Sequence, residues 1–174
     1  MKIQVPEQIR TERLLLRRHS IDDLPGMLGF ISDREATKHL IFTNSQKSRE
    51  GVRDMLEMII ASYETDEAIF SLTIAEPESG RFIGFCGMGK CENEGEMEVF
   101  YNIIPEMQGH GFATEALKAL VEHASCRYRP HRLIAIVMGS NLASIGVARK
   151  AGFSYGGPAI KQGRAGMRYV LELV

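Results

Sequence analysis

Residues 97 to 127 read as a strand, a glycine turn and a helix in unbroken succession. Met97–Ile103 has the look of a strand, and Ala113, Ala116, Leu117, Leu120, Val121 and Ala124 fall on one face of a helix over Ala113–Arg127. Between them lies Gln108-Gly109-His110-Gly111-Phe112-Ala113. Glycines at such a junction let backbone N–H groups approach a ligand, and the helix N-terminus that follows favours negative charge. A chain built this way brings a strand end and a helix start to one anion-sized cradle. The expected ligand carries phosphate.

Two better-known phosphate motifs do not fit. A dinucleotide fingerprint needs a third glycine, where this run has Thr114, and an acidic residue about 20 residues on to hold a ribose. The chain offers His131 and Arg132 there, with no acid before Glu172. Gly84-Phe85-Cys86-Gly87-Met88-Gly89-Lys90-Cys91 matches P-loop spacing except at its last position, which should be Ser or Thr. An acidic turn, Glu92-Asn93-Glu94-Gly95-Glu96, follows it instead of a helix. That segment reads as a glycine-rich strand ending in a hairpin turn.

The rest of the chain is an alternating α/β unit. Leu14–Arg18 is a strand candidate, and a helix follows from about Asp22, with Pro25 in its first turn. Ser48 caps a second helix, on which Val52, Met55, Leu56, Ile59, Ile60 and Tyr63 form an apolar stripe. Strands at Ala68–Ala75, Arg81–Lys90 and Met97–Ile103, joined by short turns, predict an antiparallel meander. After the glycine helix come a β-branched strand at Arg132–Met138, a helix at Asn141–Ala151 capped by Asn141 or Ser140 and stopped by Gly152, and strands at Phe153–Tyr155 and Met167–Leu173. The expected architecture joins an antiparallel half to a βαβ half through Met97–Ile103. A ligand should bind where the two halves part.

Composition narrows the function classes. The 174 residues are enough for one domain spanning 1–174 with a proper core. Net charge is −1 with both signs mixed, so no nucleic-acid surface is implied. No run approaches the ~18 apolar residues of a membrane span, and Met1–Thr11 lacks a signal-peptide core. A cytoplasmic chain with no membrane partner is expected. Cys86, Cys91 and Cys126 are an odd set with no zinc spacing, and read as free, mostly buried thiols rather than a disulfide or metal site.

Three stretches resemble the GNAT N-acetyltransferase superfamily, and within it the ribosomal-protein N-terminal (alanine) acetyltransferase group. They are Thr11-Glu12-Arg13-Leu14-Leu15-Leu16-Arg17, Gln108–Ala116 with its Gln-x-x-Gly-x-Ala pattern, and Asn141-Leu142-Ala143-Ser144 running to Lys150-Ala151-Gly152-Phe153. The resemblance implies a GNAT-like single domain, a central mixed, mostly antiparallel sheet flanked by helices. It implies an enzyme that moves an acetyl group from acetyl-CoA to a primary amine, without a metal.

Residue roles follow from that resemblance. The N–H groups of Gly109, His110, Gly111, Phe112, Ala113 and Thr114 would hold the pyrophosphate of coenzyme A, with Gln108 adding a side-chain amide. Asn141 would cap its helix and bond the pantetheine arm, and Ser144, one turn on, would approach the thioester. A backbone N–H near Asn102 or Ile103 would polarise the acetyl carbonyl. Glu98, on the strand before the loop, is the candidate base, with Glu96 as the second choice. One departure stands out. Many members carry a tyrosine general acid where this chain has Ala148, leaving Ser144 or an unassisted thiolate. Tyr101 and Tyr155 read as core or rim residues.

The acceptor is less constrained. The subgroup resemblance implies a protein or peptide N-terminal α-amine, whose pKa near ~8 leaves a usable neutral fraction at pH 7. A small amine such as a polyamine, amino acid or antibiotic is the alternative, and a non-catalytic acyl-CoA-binding regulatory module is an alternative of another class. His39, Phe42 and Asn44, in the segment after the first helix, are candidates to line the acceptor cleft. Monomer and homodimer both remain open.

Overall fold

The structure, a computed structural model, describes residues 2–173. Its strands are β1 (Gln8–Arg10), β2 (Leu15–Arg18), β3 (Phe70–Ala75), β4 (Phe82–Lys90), β5 (Glu96–Ile103), β6 (Arg132–Val137), β7 (Ser154–Lys161) and β8 (Arg164–Glu172). Its helices are α1 (Leu24–Ser32), α2 (Arg34–Thr37), α3 (Arg49–Ser62), α4 (Phe112–Arg127) and α5 (Leu142–Lys150). The strands form one sheet in the order β1-β2-β3-β4-β5-β6-β8-β7. Every neighbouring pair is antiparallel except β5 with β6, which the α4 crossover makes parallel.

The local chemistry behind each helix is visible. Ser48 accepts from the Gly51 N–H at 3.0 Å and starts α3. Pro25 sits in the first turn of α1, where its missing N–H costs nothing. Asn141 accepts from the Ser144 N–H at 3.1 Å and starts α5. At the other end of α5, Gly152 takes φ +94 and lets the chain turn into β7.

Alternation along the strands builds two cores. Leu16, Leu72, Cys86, Met97 and Val99 are buried with Ala116, Leu117 and Leu120 of α4. Phe82 and Phe85 of β4 instead meet Leu24, Met27, Phe30 and Ile31 of α1 and Val52 and Leu56 of α3.

Three elements differ from expectation. The edge strand β1 is short and polar, and pairing Ile9 with Leu16 is its main anchor. The one-turn α2 is capped by Asp33, which accepts from Ala36 N at 2.8 Å. Gly156-Gly157-Pro158 looks like a break, yet β7 runs through it. A register shift between Tyr155 and Pro158 and a φ of +111 at Gly157 absorb the irregularity. Among the cysteines, Cys86 is buried and Cys91 half-buried, but Cys126 is exposed, against the expectation of mostly buried thiols.

Candidate active site

At the start of α4 the glycines do what their placement demands. Gly109 and Gly111 take φ +80 and +83, a left-handed conformation that side-chain-bearing residues seldom adopt. Gly111 is the N-cap and offers no side chain to the first turn. Among the described residues, no backbone N–H from Gly109 to Thr114 has an acceptor in the chain. A row of unpaired donors at a helix N-terminus suits an anion.

A clamp missed in the sequence holds this loop. Glu115, in the first turn of α4, accepts from Thr11 Oγ1 at 2.6 Å, from the Arg13 N–H at 2.9 Å and from Arg13 Nε at 2.7 Å. Arg13 also donates to the His110 carbonyl at 3.0 Å and lies over the Phe112 ring, 4.9 Å from its centroid. The Phe112 ring in turn stacks on His110. Burial pushes the Glu115 carboxyl up, but the bonds from Thr11 and Arg13 outweigh it and hold the group below its ordinary value. The Thr11-Glu12-Arg13 stretch was legible as a resemblance. Nothing local tied it to a residue about a hundred positions away.

The second part of the site is a gap in the sheet. β5 and β6 pair only from Glu96↔Arg132 to Glu98↔Ile134 and then part, while β6 stays paired to β8 as far as Val137. Ile104 N donates to Ile83 on β4 at 2.9 Å, so by strand alternation the Tyr101 and Ile103 N–H groups face the gap. α5 begins across that gap. The Tyr101 hydroxyl donates to the Ser144 carbonyl at 2.9 Å and ties the two sides together. Burial raises the Tyr101 hydroxyl to about 12. Gln108 Nε2 donates to the Ile103 carbonyl at 3.0 Å, so the amide expected to reach the ligand is engaged at the strand end.

Two cavities meet here. The larger, about 590 Å³, runs from Gln108, Gly109 and Gly111–Thr114 along the groove between α4 and α5 to Asn141 and Ser144. Lys38 and Lys150 add cationic side chains to its wall, where Glu35 pairs with Lys38 at 3.0 Å. The smaller, about 150 Å³, lies in the gap between β5 and β6 under the β7–β8 hairpin. Ala36, His39, Tyr101, Asn102, Asn141 and Ser144 line both. Cofactor-sized and acceptor-sized spaces therefore share one wall.

The remaining candidates fall on and off this wall. Glu98 lines neither cavity, and its carboxylate is ion-paired with Lys161 of β7. Glu96 is engaged by Asn93 at 2.9 Å and Arg132 at 3.4 Å. Ala148 is fully buried, so the position expected to carry an acid faces the core. Tyr155 is exposed and packs edge-on to Tyr169. Of the three expected acceptor residues only His39 reaches a cavity. Phe42 packs beneath α1 and α3, and Asn44 is exposed. Leu40 and Ile41 line the smaller space in their stead.

Known proteins with this geometry point one way. The pattern described as "Acetyltransferase (GNAT) domain" matches residues 13–154. The N-acetyltransferase p20 of Bacillus licheniformis is 31% identical over 149 residues, covering 84% of this chain and 82% of that protein. Among solved structures, a GNAT-family acetyltransferase from Bacillus anthracis superposes with a TM-score of 0.79 at 21% identity, over 95% of this chain and 98% of its own. RimL, a ribosomal L7/L12 α-N-protein acetyltransferase in complex with coenzyme A, superposes with a TM-score of 0.78 at 19% identity, over 96% and 98% of the two chains.

Proposed function

From the premise that this chain belongs to the GNAT acetyltransferase family and is an acetyl-CoA-dependent N-acetyltransferase, we propose that its acceptor is a protein or peptide N-terminal α-amine. Coenzyme A lies in the larger cavity, its pyrophosphate on the Gly109–Thr114 amides and its pantetheine arm beside Asn141. The thioester reaches the shared wall, with Tyr101 or Ile103 N–H polarising the acetyl carbonyl. Ser144 Oγ, which has no hydrogen-bond partner among the described residues, is placed to assist the departing thiolate.

The observation that carries the acceptor reading is the charge of the smaller cavity. Among the described residues its lining includes no carboxylate, and Arg164 supplies its charge, since Lys161 is paired with Glu98 and His39 is held towards its neutral form. A polyamine would bring several cations to a wall with no anion to receive them. A peptide α-amine is less basic than a lysine side chain, at ~8 against ~10.4. Arg164 nearby shifts it further toward the neutral form that attacks. An acceptor whose second residue is acidic would also complement Arg164.

A matched pair of peptides tests this. They differ only in a blocked N-terminus, both contain lysine, and thiol release from acetyl-CoA is followed near pH 7 beside spermidine. The free N-terminus should react fastest. A blocked peptide or spermidine reacting as fast would overturn the acceptor reading. Calorimetry on folded Gly111→Val tests the cofactor cradle separately. Valine at φ +83 disturbs the loop, so acetyl-CoA affinity should fall.

A further inference from the structure

We propose that His39 is the catalytic base, the group that takes the proton from the acceptor ammonium before attack. The inference rests on the acetyl-transfer reading and names a residue within that site. Transfer takes place where the two cavities adjoin, and the base must stand on the wall they share. The titratable side chains there are His39 and Tyr101. Tyr101 spends its proton on the Ser144 carbonyl and is buried, which makes it a poor base. The carboxylates on the neighbouring strand are held elsewhere, Glu98 by Lys161 and Glu96 by Arg132 and Asn93.

The surroundings of His39 suit the role. Its Nδ1 lies 3.4 Å from the Ser140 hydroxyl, just ahead of α5. Nε2 has no partner among the described residues, and in the tautomer with Nδ1–H directed at the Ser140 hydroxyl it is the nitrogen free to accept a proton. Lys38 and Glu35 flank the ring on its own segment, and Arg164 approaches from the β7–β8 hairpin. Partial burial, with Lys38 and Arg164, holds the imidazole below its ordinary value against the opposing pull of Glu35. A neutral imidazole at pH 7 is the state a base requires.

The step balances without another reactant. An ammonium proton passes to Nε2, and the freed lone pair forms the N–C bond to the acetyl carbonyl carbon. As the tetrahedral adduct collapses, the C–S bond breaks, the nitrogen sheds a second proton and the departing thiolate gains one. The imidazolium then returns its proton to water. One amide, one thiol and one solvent proton result.

The test is the pH dependence of kcat, which reports groups in the bound complex. Three variants are compared with the wild type on the free N-terminal peptide: His39→Gln, His39→Ala and Glu98→Gln. The wild type should lose kcat on the acid side as His39 becomes protonated. His39→Gln should lower kcat roughly 10²–10⁴-fold near pH 7 and abolish that limb. Its acetyl-CoA affinity and Tm should stay unchanged. Added imidazole should restore part of the His39→Ala rate, and Glu98→Gln should keep the limb. A His39→Gln enzyme with wild-type kcat and limb would overturn the assignment, as would a limb lost only in Glu98→Gln. A wild type that releases no thiol with any amine would instead remove the parent reading.

Discussion

Replacing Glu115 with alanine removes the acceptor that Thr11 and Arg13 share. The carboxylate takes bonds at 2.6, 2.9 and 2.7 Å from Thr11 Oγ1, Arg13 N and Arg13 Nε. A hydrogen bond to a charged group contributes about 1.5–3 kcal/mol when fully formed. The Arg13 side chain is 47% exposed against 19% for Glu115, so its ion-pair share is screened and contributes little. Together the clamp contributes about 2 kcal/mol, and its loss lowers Tm by about 4–8 °C in a chain of this size. The functional effect is separate. Arg13 would no longer be held against the His110 carbonyl and Phe112, so binding must order the backbone at His110. Ordering one residue costs about 1–2 kcal/mol, and about 1.4 kcal/mol is tenfold in Kd. Acetyl-CoA affinity should therefore fall about tenfold, measured by calorimetry at ~0.15 M salt to damp the attraction of the freed Arg13. Glu122→Ala, on the exposed face of the same helix, is the control. Because the folded state holds Glu115 below its ordinary value, its contribution is present above the unfolded value and disappears as pH falls through the folded one. The stability gap between wild type and Glu115→Ala should thus close in acid. Glu115→Ala behaving like Glu122→Ala in both Tm and Kd would refute the clamp.

Two further outcomes are expected. Ser144→Ala should slow acetyl transfer roughly 10²-fold at the lower end of acid–base effects while leaving Tm unchanged, because Ser144 Oγ bonds nothing among the described residues. Equal kcat would show that thiolate departure does not depend on Ser144. His19 is buried between Thr73 Oγ1 at 2.6 Å and Ser71 Oγ at 2.8 Å, and burial depresses it to about 4. It folds neutral, so stability holds above its unfolded value near ~6.5 and declines as pH falls towards about 4. The decline amounts to about 3 kcal/mol, at ~1.4 kcal/mol for each unit of difference. Urea unfolding of wild type and His19→Asn at pH 7 and pH 5 checks it, and an equal pH response in the two proteins would remove His19 as the cause.

Much of the fold was readable because its signals are local. The α3 stripe, the Ser48 and Asn141 caps, Pro25 in the first turn and the glycines before α4 each act within a few residues, and all stand where local chemistry puts them. The meander and the double membership of β5 followed from turn lengths and element order. β1 and the full length of β7 were missed because their pairing partners, not their own residues, make them strands.

Within the site, the sequence alone determined that the cradle's N–H groups go unpaired, since glycines open the helix, while the Thr11–Arg13–Glu115 clamp that fixes the loop is tertiary. Only the tertiary structure decided the chemistry beside it. Glu98 sits on the right strand, yet Lys161 from a hairpin more than sixty residues on takes its carboxylate. Gln108 precedes the cradle, yet its amide serves the Ile103 carbonyl. His39, Phe42 and Asn44 were indistinguishable as neighbours in one loop, and packing put His39 alone among them at both cavities. Backbone donors are set by local conformation, whereas a side chain's role depends on which distant group reaches it first. That second quantity exists only once the chain has folded.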